Sequence, residues 1–348
     1  MGVMRARTRL TALLVAVATA SALTACGQSD EGPIDNVPTV TPATAVESPN
    51  SDAAPAGLVI PSVPARSVIV GHGTQPRTAL LSNDGTTVQL FVAPGAMDTP
   101  PPLTVKVPAL GALTASGDGF VGATDGAIVR ISKDGKVTEQ KADLGGVRAI
   151  AVTADQRVLV GNDRGRVLVV DANGKVQRNI GGFVRVDDIT VAPASAGDLA
   201  GQVVVLDRAQ SAVIPIDIDK GELKAALRAG DGATQSIVDD YGRILVSGTR
   251  TDEVFAFYGQ PIMMRLRAPV PASPYALAFD EKSKTLWVSS TASNVITGYN
   301  ISTGEAKEIH RITSVPQVTS MAVDANGTLL AVSGRDGALQ VILPNAVK

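Results

Sequence analysis

The chain has 348 residues, of which 45% are hydrophobic and only 3% aromatic, with 31 basic and 33 acidic side chains. The formal charge is −2, and it becomes −5 once the three arginines before residue 26 are removed with a signal peptide. Nucleic-acid binding needs a concentrated basic surface, and this balance argues against it. The low aromatic content predicts a core of Val, Leu, Ile and Ala, which suits tightly packed β-sheets.

The first 25 residues have the pattern of an export signal. Three arginines precede an apolar run from Leu10 to Ala22. The run is too short for an ordinary transmembrane helix. Residues 1–25 are therefore predicted to be a signal peptide. The alternative is an ordinary secretory signal that is followed by a chance cysteine.

The run ends in Leu23-Thr24-Ala25-Cys26, which resembles the bacterial lipobox, where a small residue precedes an invariant cysteine. The resemblance implies cleavage before Cys26, diacylglyceryl attachment to its sulfur and acylation of the new amino group, for example with palmitate. Two or more acyl chains anchor a protein stably, whereas one chain is marginal. Cys26 is the only cysteine, so no intramolecular disulfide is expected. The implied location is the extracytoplasmic face of the cell membrane.

Residues 26–57 contain this cysteine and a stretch rich in Pro, Thr and Ala. The stretch has no sustained apolar period of a strand or a helix, and it cannot bury a core of its own. Its composition predicts a disordered, semi-extended tether. The folded domain is expected to cover residues 58–348.

A unit of four short β-rich runs recurs from residue 67 onward. In the copy at residues 147–180 the runs are VRAIAV, RVLVG, RVLVVD and KVQRNI, and turn residues such as Asn173-Gly174 separate them. Such a unit is a four-stranded antiparallel meander. Its radial repetition predicts an all-β fold, a β-propeller of four-stranded blades.

The spacing of these units is about 40 residues, which is typical of propeller blades. Seven candidate inner strands begin at Ser67, Ala112, Ala149, Asp188, Ser236, Ala276 and Ser320. Seven starts predict seven blades, of which the unit at 188–230 is irregular. The last unit ends after three strands, so residues 58–64 are expected to supply its outer strand and remove a sheet edge. The alternatives are six blades, closed by residues 67–70, and a two-sheet sandwich, which lacks this regular recurrence.

An apolar inner strand, an Asp-rich turn and a strand of the type LxVS recur in SIVDDYGRILVSG, ALAFDEKSKTLWVSS and SMAVDANGTLLAVSG. These units resemble NHL, YVTN and SMP-30-type propellers rather than WD40 repeats, because the Gly-His and Trp-Asp signature is absent. Together with the lipobox and the Pro/Thr-rich stretch, the chain resembles actinobacterial, mycobacterial-type lipoproteins. The resemblance implies a fold and an address, and it says little about function.

Candidate binding residues lie in the loop after the first inner strand, where propeller loops face the central channel. This loop contains His72, Thr74 and Gln75, and the glycines beside His72 permit close approach of a backbone. An ordinary loop residue is the alternative for His72. The other histidine, His310, is expected in an outer strand. The sequence has no histidine spacing typical of a metal site and no GxSxG motif.

Carboxylates provide weaker candidates. Residues 217–222, DIDKGE, faintly resemble a calcium loop but lack most of its ligand series, so a solvated turn is expected. The resemblance to SMP-30-like lactonases implies a divalent metal on channel-side acidic and amide groups, for which Asp240 and Asn294 are conceivable. The full motif does not align with this chain. No catalytic residue, metal or cofactor is therefore predicted.

The sequence predicts a membrane-anchored envelope lipoprotein whose propeller is a non-catalytic binding or scaffolding platform. The expected partners are the membrane, through Cys26, and an envelope protein, glycan or small ligand on the propeller face. The alternative is a metal-dependent hydrolase or lactonase of the SMP-30-like type. The two hypotheses differ in whether acidic and amide side chains converge at one mouth of the channel.

Overall fold

The structure is a computed structural model that describes residues 37–73, 75–95 and 100–346. Cys26 and Thr74 lie outside the described residues. The described chain forms strands joined by turns, together with two short 3₁₀ helices at Ala194–Leu199 and Pro344–Ala346. No helix in this part of the chain is long and apolar enough to cross a membrane.

The strands form seven antiparallel sheets that follow one another along the chain. The first strand is β1 (Leu58–Pro61). Blade 1 contains β2 (Ala65–Val70), β3 (Arg77–Ser82), β4 (Thr87–Val92) and β5 (Leu103–Lys106). Blade 2 contains β6 (Ala112–Ser116), β7 (Gly119–Thr124), β8 (Ala127–Ile131) and β9 (Val137–Lys141). Blade 3 contains β10 (Val147–Val152), β11 (Val158–Asn162), β12 (Val167–Val170) and β13 (Val176–Ile180).

The remaining blades repeat this order. Blade 4 contains β14 (Asp188–Val191), β15 (Val203–Asp207), β16 (Ala212–Asp217), β17 (Glu222–Leu223) and β18 (Leu227–Arg228). Blade 5 contains β19 (Ala233–Val238), β20 (Ile244–Gly248), β21 (Glu253–Tyr258) and β22 (Met263–Pro269). Blade 6 contains β23 (Pro274–Asp280), β24 (Thr285–Ser290), β25 (Val295–Asn300) and β26 (Lys307–Thr313). Blade 7 contains β27 (Val318–Val323), β28 (Leu329–Ser333) and β29 (Ala338–Ile342), and β1 completes it.

Ring closure depends on the pairing of β1 with β29. Leu58 lies opposite Val341, and Pro61 lies opposite Ala338. The N-terminal strand is thus the outer strand of the C-terminal blade, which confirms the predicted closure and the count of seven. Residues 67–70 belong to β2, the inner strand of blade 1, so the six-blade and sandwich alternatives are wrong.

The inner strands contact one another in a closed ring around a central channel. Because each blade is a meander, its turns alternate between two faces of the ring. We call face A the side that carries the turns between first and second strands, such as 71–76 and 239–243. Face B carries the turns between second and third strands, such as 291–294, and the connections between blades.

Each gap between neighbouring blades has its own hydrophobic layer. Between blades 3 and 4 the layer includes Leu159, Val169 and Val205, all of which are fully buried. The layer between blades 7 and 1 includes Ile60 of β1. Aliphatic side chains dominate these layers, as the composition predicted. The second and third strands of a blade are covered on both sides by neighbouring blades, so aliphatic residues are needed on both of their faces.

Blade 4 has a split outer strand, and Pro215 explains the split. The carbonyl of Pro215 faces the outer strand and accepts a hydrogen bond from the Lys224 N–H at 2.8 Å. Proline has no N–H to return, so the ladder breaks there into β17 and β18. The 3₁₀ helix Ala194–Leu199 fills the long turn before β15. Both features account for the irregular unit seen in the sequence.

Residues 37–57, which we call the N-terminal segment, correct the prediction of a disordered tether. The segment lies extended across face B, where Val40 N–H donates to the Ala209 carbonyl at 2.7 Å. Ala43 and Ser48 are buried. The prediction is wrong for this part because turns of other blades satisfy the backbone of the segment. Such docking needs no apolar period in the segment itself.

The closure can be tested with two shortened chains that both lack the N-terminal segment. One begins at Gly57 and keeps β1, and the other begins at Ala65 and loses it. We expect the second chain to melt at a lower temperature and to aggregate, because the edge of β29 is left unpaired. Thermal unfolding and size-exclusion chromatography measure both effects. Equal melting temperatures and equal monomer yields would contradict the closure.

Candidate functional site

A cavity of about 750 Å³ opens on face A at the mouth of the channel. It forms where the inner strands end, so neighbouring blades contribute the same strand positions. Its floor is apolar and includes Val70, Ile237, Val238, Phe279, Ala322 and Val323. Its rim is polar and includes His72, Asp280, Glu281, Lys282 and Asp324. An apolar floor with a polar rim is the usual composition of a ligand site.

The structure places His72 on this rim. His72 and Gln75 are both exposed in the turn after β2, and His72 lines the cavity, whereas Gln75 does not. The two predicted residues therefore lie in the same loop, but only His72 lines the cavity. Their companion Thr74 lies outside the described residues.

Gly73 explains the shape of this loop. Its φ is +97°, and a Cβ there would lie 2.2 Å from Asp118 Oδ1 of the neighbouring blade. The positive φ is what favours glycine here, and a Cβ would also require the Asp118 side chain to move. The glycines were expected to permit close approach of another backbone. Gly73 instead lies against the side chain of Asp118 in the neighbouring blade.

Two of the three rim carboxylates, Asp280 and Asp324, have structural partners. Asp280 accepts hydrogen bonds from the Lys282 N–H at 3.0 Å and from the Ser283 hydroxyl at 2.6 Å. Asp324 accepts from two backbone N–H groups of its own turn, both at 2.8 Å. These carboxylates hold the turns that shape the cavity, as aspartates at such turn positions commonly do.

A charged and aromatic cluster lies beside the mouth, between blades 5 and 6. The Lys284 ammonium bonds to Asp240, and this hydrogen bond raises the pKa of Lys284. The same ammonium lies 4.7 Å from the centre of the Tyr241 ring. Arg243 pairs with Asp239 at 2.5 Å. From the sequence, Asp240 was considered and Tyr241 and Lys284 were missed, although these two residues follow the inner strands of adjacent blades.

The opposite mouth, on face B, is smaller and more charged. A cavity of about 230 Å³ there is lined by residues that include Arg66, Arg148, Asp187 and Asp188. Asp188 accepts from both the N–H and the hydroxyl of Ser236 at 3.1 Å, which joins the inner strands of blades 4 and 5. Burial raises the pKa of Asp188, and the hydrogen bonds from Ser236 oppose this in part.

The two residues considered for an SMP-30-like metal site are far apart in the fold. Asp240 is in a turn of face A, whereas Asn294 is in a turn of face B and donates to the Pro49 carbonyl at 2.8 Å. Strand order already determines this separation, because one turn follows a first strand and the other a second strand. Among residues 37–73, 75–95 and 100–346, no three His, Cys, Asp or Glu side chains form a group that could hold a metal ion.

The other candidates occupy ordinary structural positions. Asp217 accepts from the N–H groups of Asp219 and Lys220, which makes DIDKGE a solvated turn as predicted. His310 lies in the outer strand β26, also as predicted, and it stacks on Trp287 with 5.6 Å between ring centres.

No family model matches the chain, and no curated protein matches it. Solved structures match its fold at low identity. Virginiamycin B lyase from Staphylococcus aureus, in a catalytically inactive variant with quinupristin, is 14% identical with a TM-score of 0.63, covering 85% of this chain and 98% of that one. BBS1N in complex with ARL6DN is 15% identical with a TM-score of 0.64, covering 83% and 97%. Hydrazine synthase from Kuenenia stuttgartiensis is 13% identical with a TM-score of 0.66, covering 82% and 97%.

In fold, the chain is a seven-bladed propeller similar to virginiamycin B lyase. The three similar structures are a lyase, a protein in complex with a partner and a synthase. This chain covers 97–98% of each of them, and their roles differ. At these identities the likeness describes the fold alone, and the site must be interpreted from its own residues.

The exposed position of His72 predicts that its removal has little effect on stability. We expect His72→Ala to change the free energy of unfolding by less than about 0.5 kcal/mol, as for surface substitutions in general. Gly73→Ala should cost about 1–3 kcal/mol, because its positive φ disfavours any residue with a Cβ. Urea unfolding of both variants checks this. A loss above about 2 kcal/mol for His72→Ala would assign His72 a structural role.

The raised pKa of Asp188 predicts a pH-dependent effect of Asp188→Asn. The folded state disfavours the ionised form of the Asp188 carboxyl. The protonated carboxyl therefore contributes its full stability below the pKa of the unfolded chain, about 3.9, and this contribution is lost as the pH rises through the pKa of the folded chain. The variant should therefore gain stability relative to the native chain between pH 4 and pH 7. Asp134→Asn, at an exposed turn, controls for net charge. A relative loss on raising the pH would contradict the assignment.

Proposed function

We propose that the chain is an envelope lipoprotein, anchored through Cys26, whose propeller binds a ligand at the face A mouth without catalysing a reaction. The observation that carries the binding role is the cavity of about 750 Å³, with its apolar floor and polar rim. Two of the three rim carboxylates, Asp280 and Asp324, are engaged by their own turns, which suits a structural role for them better than proton transfer. A general base needs a carboxylate or imidazole within reach of a substrate proton and oriented towards it.

The chemistry of the cavity favours an amphipathic ligand. Phe279, Ile237 and Val323 offer apolar contact at the floor, while His72 and Lys282 offer hydrogen-bond donors at the rim. A small molecule, a glycan or a peptide side chain with both characters fits this arrangement. The proposed extracytoplasmic location exposes the cavity to molecules of the cell envelope.

The anchor is supported by the lipobox-like motif at residues 23–26. We expect Cys26→Ala to release the protein from the membrane fraction, because each buried CH₂ of an acyl chain contributes about 0.8 kcal/mol to anchoring. Cys26→Ser is the matched conservative variant and should behave in the same way. Fractionation and metabolic labelling with palmitate provide the measurement. Unchanged membrane association with unchanged labelling would reject the anchor.

The binding role can be tested by photo-crosslinking in intact cells. A benzoylphenylalanine at position 282, on the rim, should form defined adducts, whereas one at Glu139, exposed on the outer strand of blade 2, should not. Ala322→Trp, which fills the floor of the cavity, should remove the adducts at position 282. Equal adducts at 282 and 139, or adducts that persist in Ala322→Trp, would reject the mouth as the site.

A further inference from the structure

The N-terminal segment makes a continuous series of contacts along face B. Arg250 donates to the Thr41 carbonyl at 2.6 Å in blade 5, and the Ser48 hydroxyl donates to the Thr291 carbonyl at 2.7 Å in blade 6. Gln317 lies just before blade 7. Its side-chain oxygen accepts a hydrogen bond from the Ser48 N–H at 2.8 Å, and its backbone N–H donates to the Ser48 hydroxyl at 2.7 Å. The segment thus runs from blade 4 to blade 7 before β1 closes the ring.

The contacts at Ser48 hold the segment most firmly. Its backbone also contacts Arg335, whose guanidinium donates to the Ser48 carbonyl at 3.1 Å. The buried Ala43 is held in the same way by Arg208, which donates to its carbonyl. Arg208 lies in a turn of blade 4 and Arg335 in a turn of blade 7. Removing the segment would expose the guanidinium groups of Arg208 and Arg335 to water on face B.

The docking changes the length of free chain between the proposed anchor and the propeller. Without it, 31 residues would lie between Cys26 and β1, and the chain between them could span up to about 115 Å. With the segment docked at Val40, 13 residues lie between Cys26 and that contact, and the chain between them reaches at most about 50 Å. This contact, between Val40 and Ala209, lies at blade 4 on face B.

We propose that the docked segment holds the propeller with face B towards the lipid bilayer and the face A mouth towards the aqueous side. This inference rests on the proposed anchor at Cys26. The partner of face B is then a lipid surface, and the ligand of the cavity reaches it from the water. Docking makes the two faces of the ring inequivalent with respect to the membrane.

The experiment places one dye on either face of the acylated, full-length protein in liposomes that contain a rhodamine-labelled lipid. Cys26 is the only cysteine and is acylated, so Arg164→Cys on face B and Lys282→Cys on face A give single labelling sites. A six-residue strand spans about 20 Å, so the faces are separated by at least that distance. Energy transfer to the lipid should be about twofold greater from position 164 than from position 282. Equal or reversed transfer overturns the orientation.

A second pair of variants tests whether the segment is the cause. Ala43→Lys with Ser48→Lys introduces two charges at buried positions, and Thr44→Lys with Asn50→Lys introduces two charges at exposed positions of the same segment. The first pair should abolish the difference between the faces while the protein stays on the liposomes, and the second pair should keep it. Persistence of the difference in the first pair overturns the role of the segment. Failure of the acylated protein to bind liposomes at all would reject the anchor instead.

Discussion

The pairing of β1 with β29 is the interaction on which the rest of the ring depends. Each blade is a sheet with two apolar sides, and each side is buried only because another blade lies against it. A ring of such sheets has no spare surface, whereas an open row leaves one apolar side exposed at each end. The few hydrogen bonds between residues 58–61 and 338–341 join those ends. Closure therefore protects layers that β1 itself barely touches.

The blades could be predicted from the sequence because their signals are local. Strand alternation, turn residues such as Asn173-Gly174 and the recurrence of similar units all lie within a few tens of residues. The split in blade 4 also had a local cause in Pro215, although only the structure shows which way its carbonyl points. Expectation and structure agree where near neighbours decide the conformation.

Docking of the N-terminal segment could not be predicted in this way. Ser48 contacts Thr291 and Gln317, which are more than 200 residues away in the chain, and it does so through single polar groups. Such contacts produce no period in the sequence. The candidate site shows the same division: the place of His72 after an inner strand was predictable, whereas the partners of Asp240 came from a neighbouring blade. The rule that successive turns alternate between faces would have separated Asp240 from Asn294 in advance.

The closure strand also sets an order of events during folding. Leu58 pairs with Val341, which lies 283 positions further along the chain, so this pair can form only after nearly the whole domain has been synthesised. Contacts of such long sequence separation form slowly because the intervening chain must be organised first. Blades 1 to 6 can form as each is completed, but the seventh needs both ends of the molecule. A chain that emerges from the ribosome N-terminus first would carry β1 unpaired until β29 is made. A chain that stops short of β29 would be a row of blades that has nothing to close it.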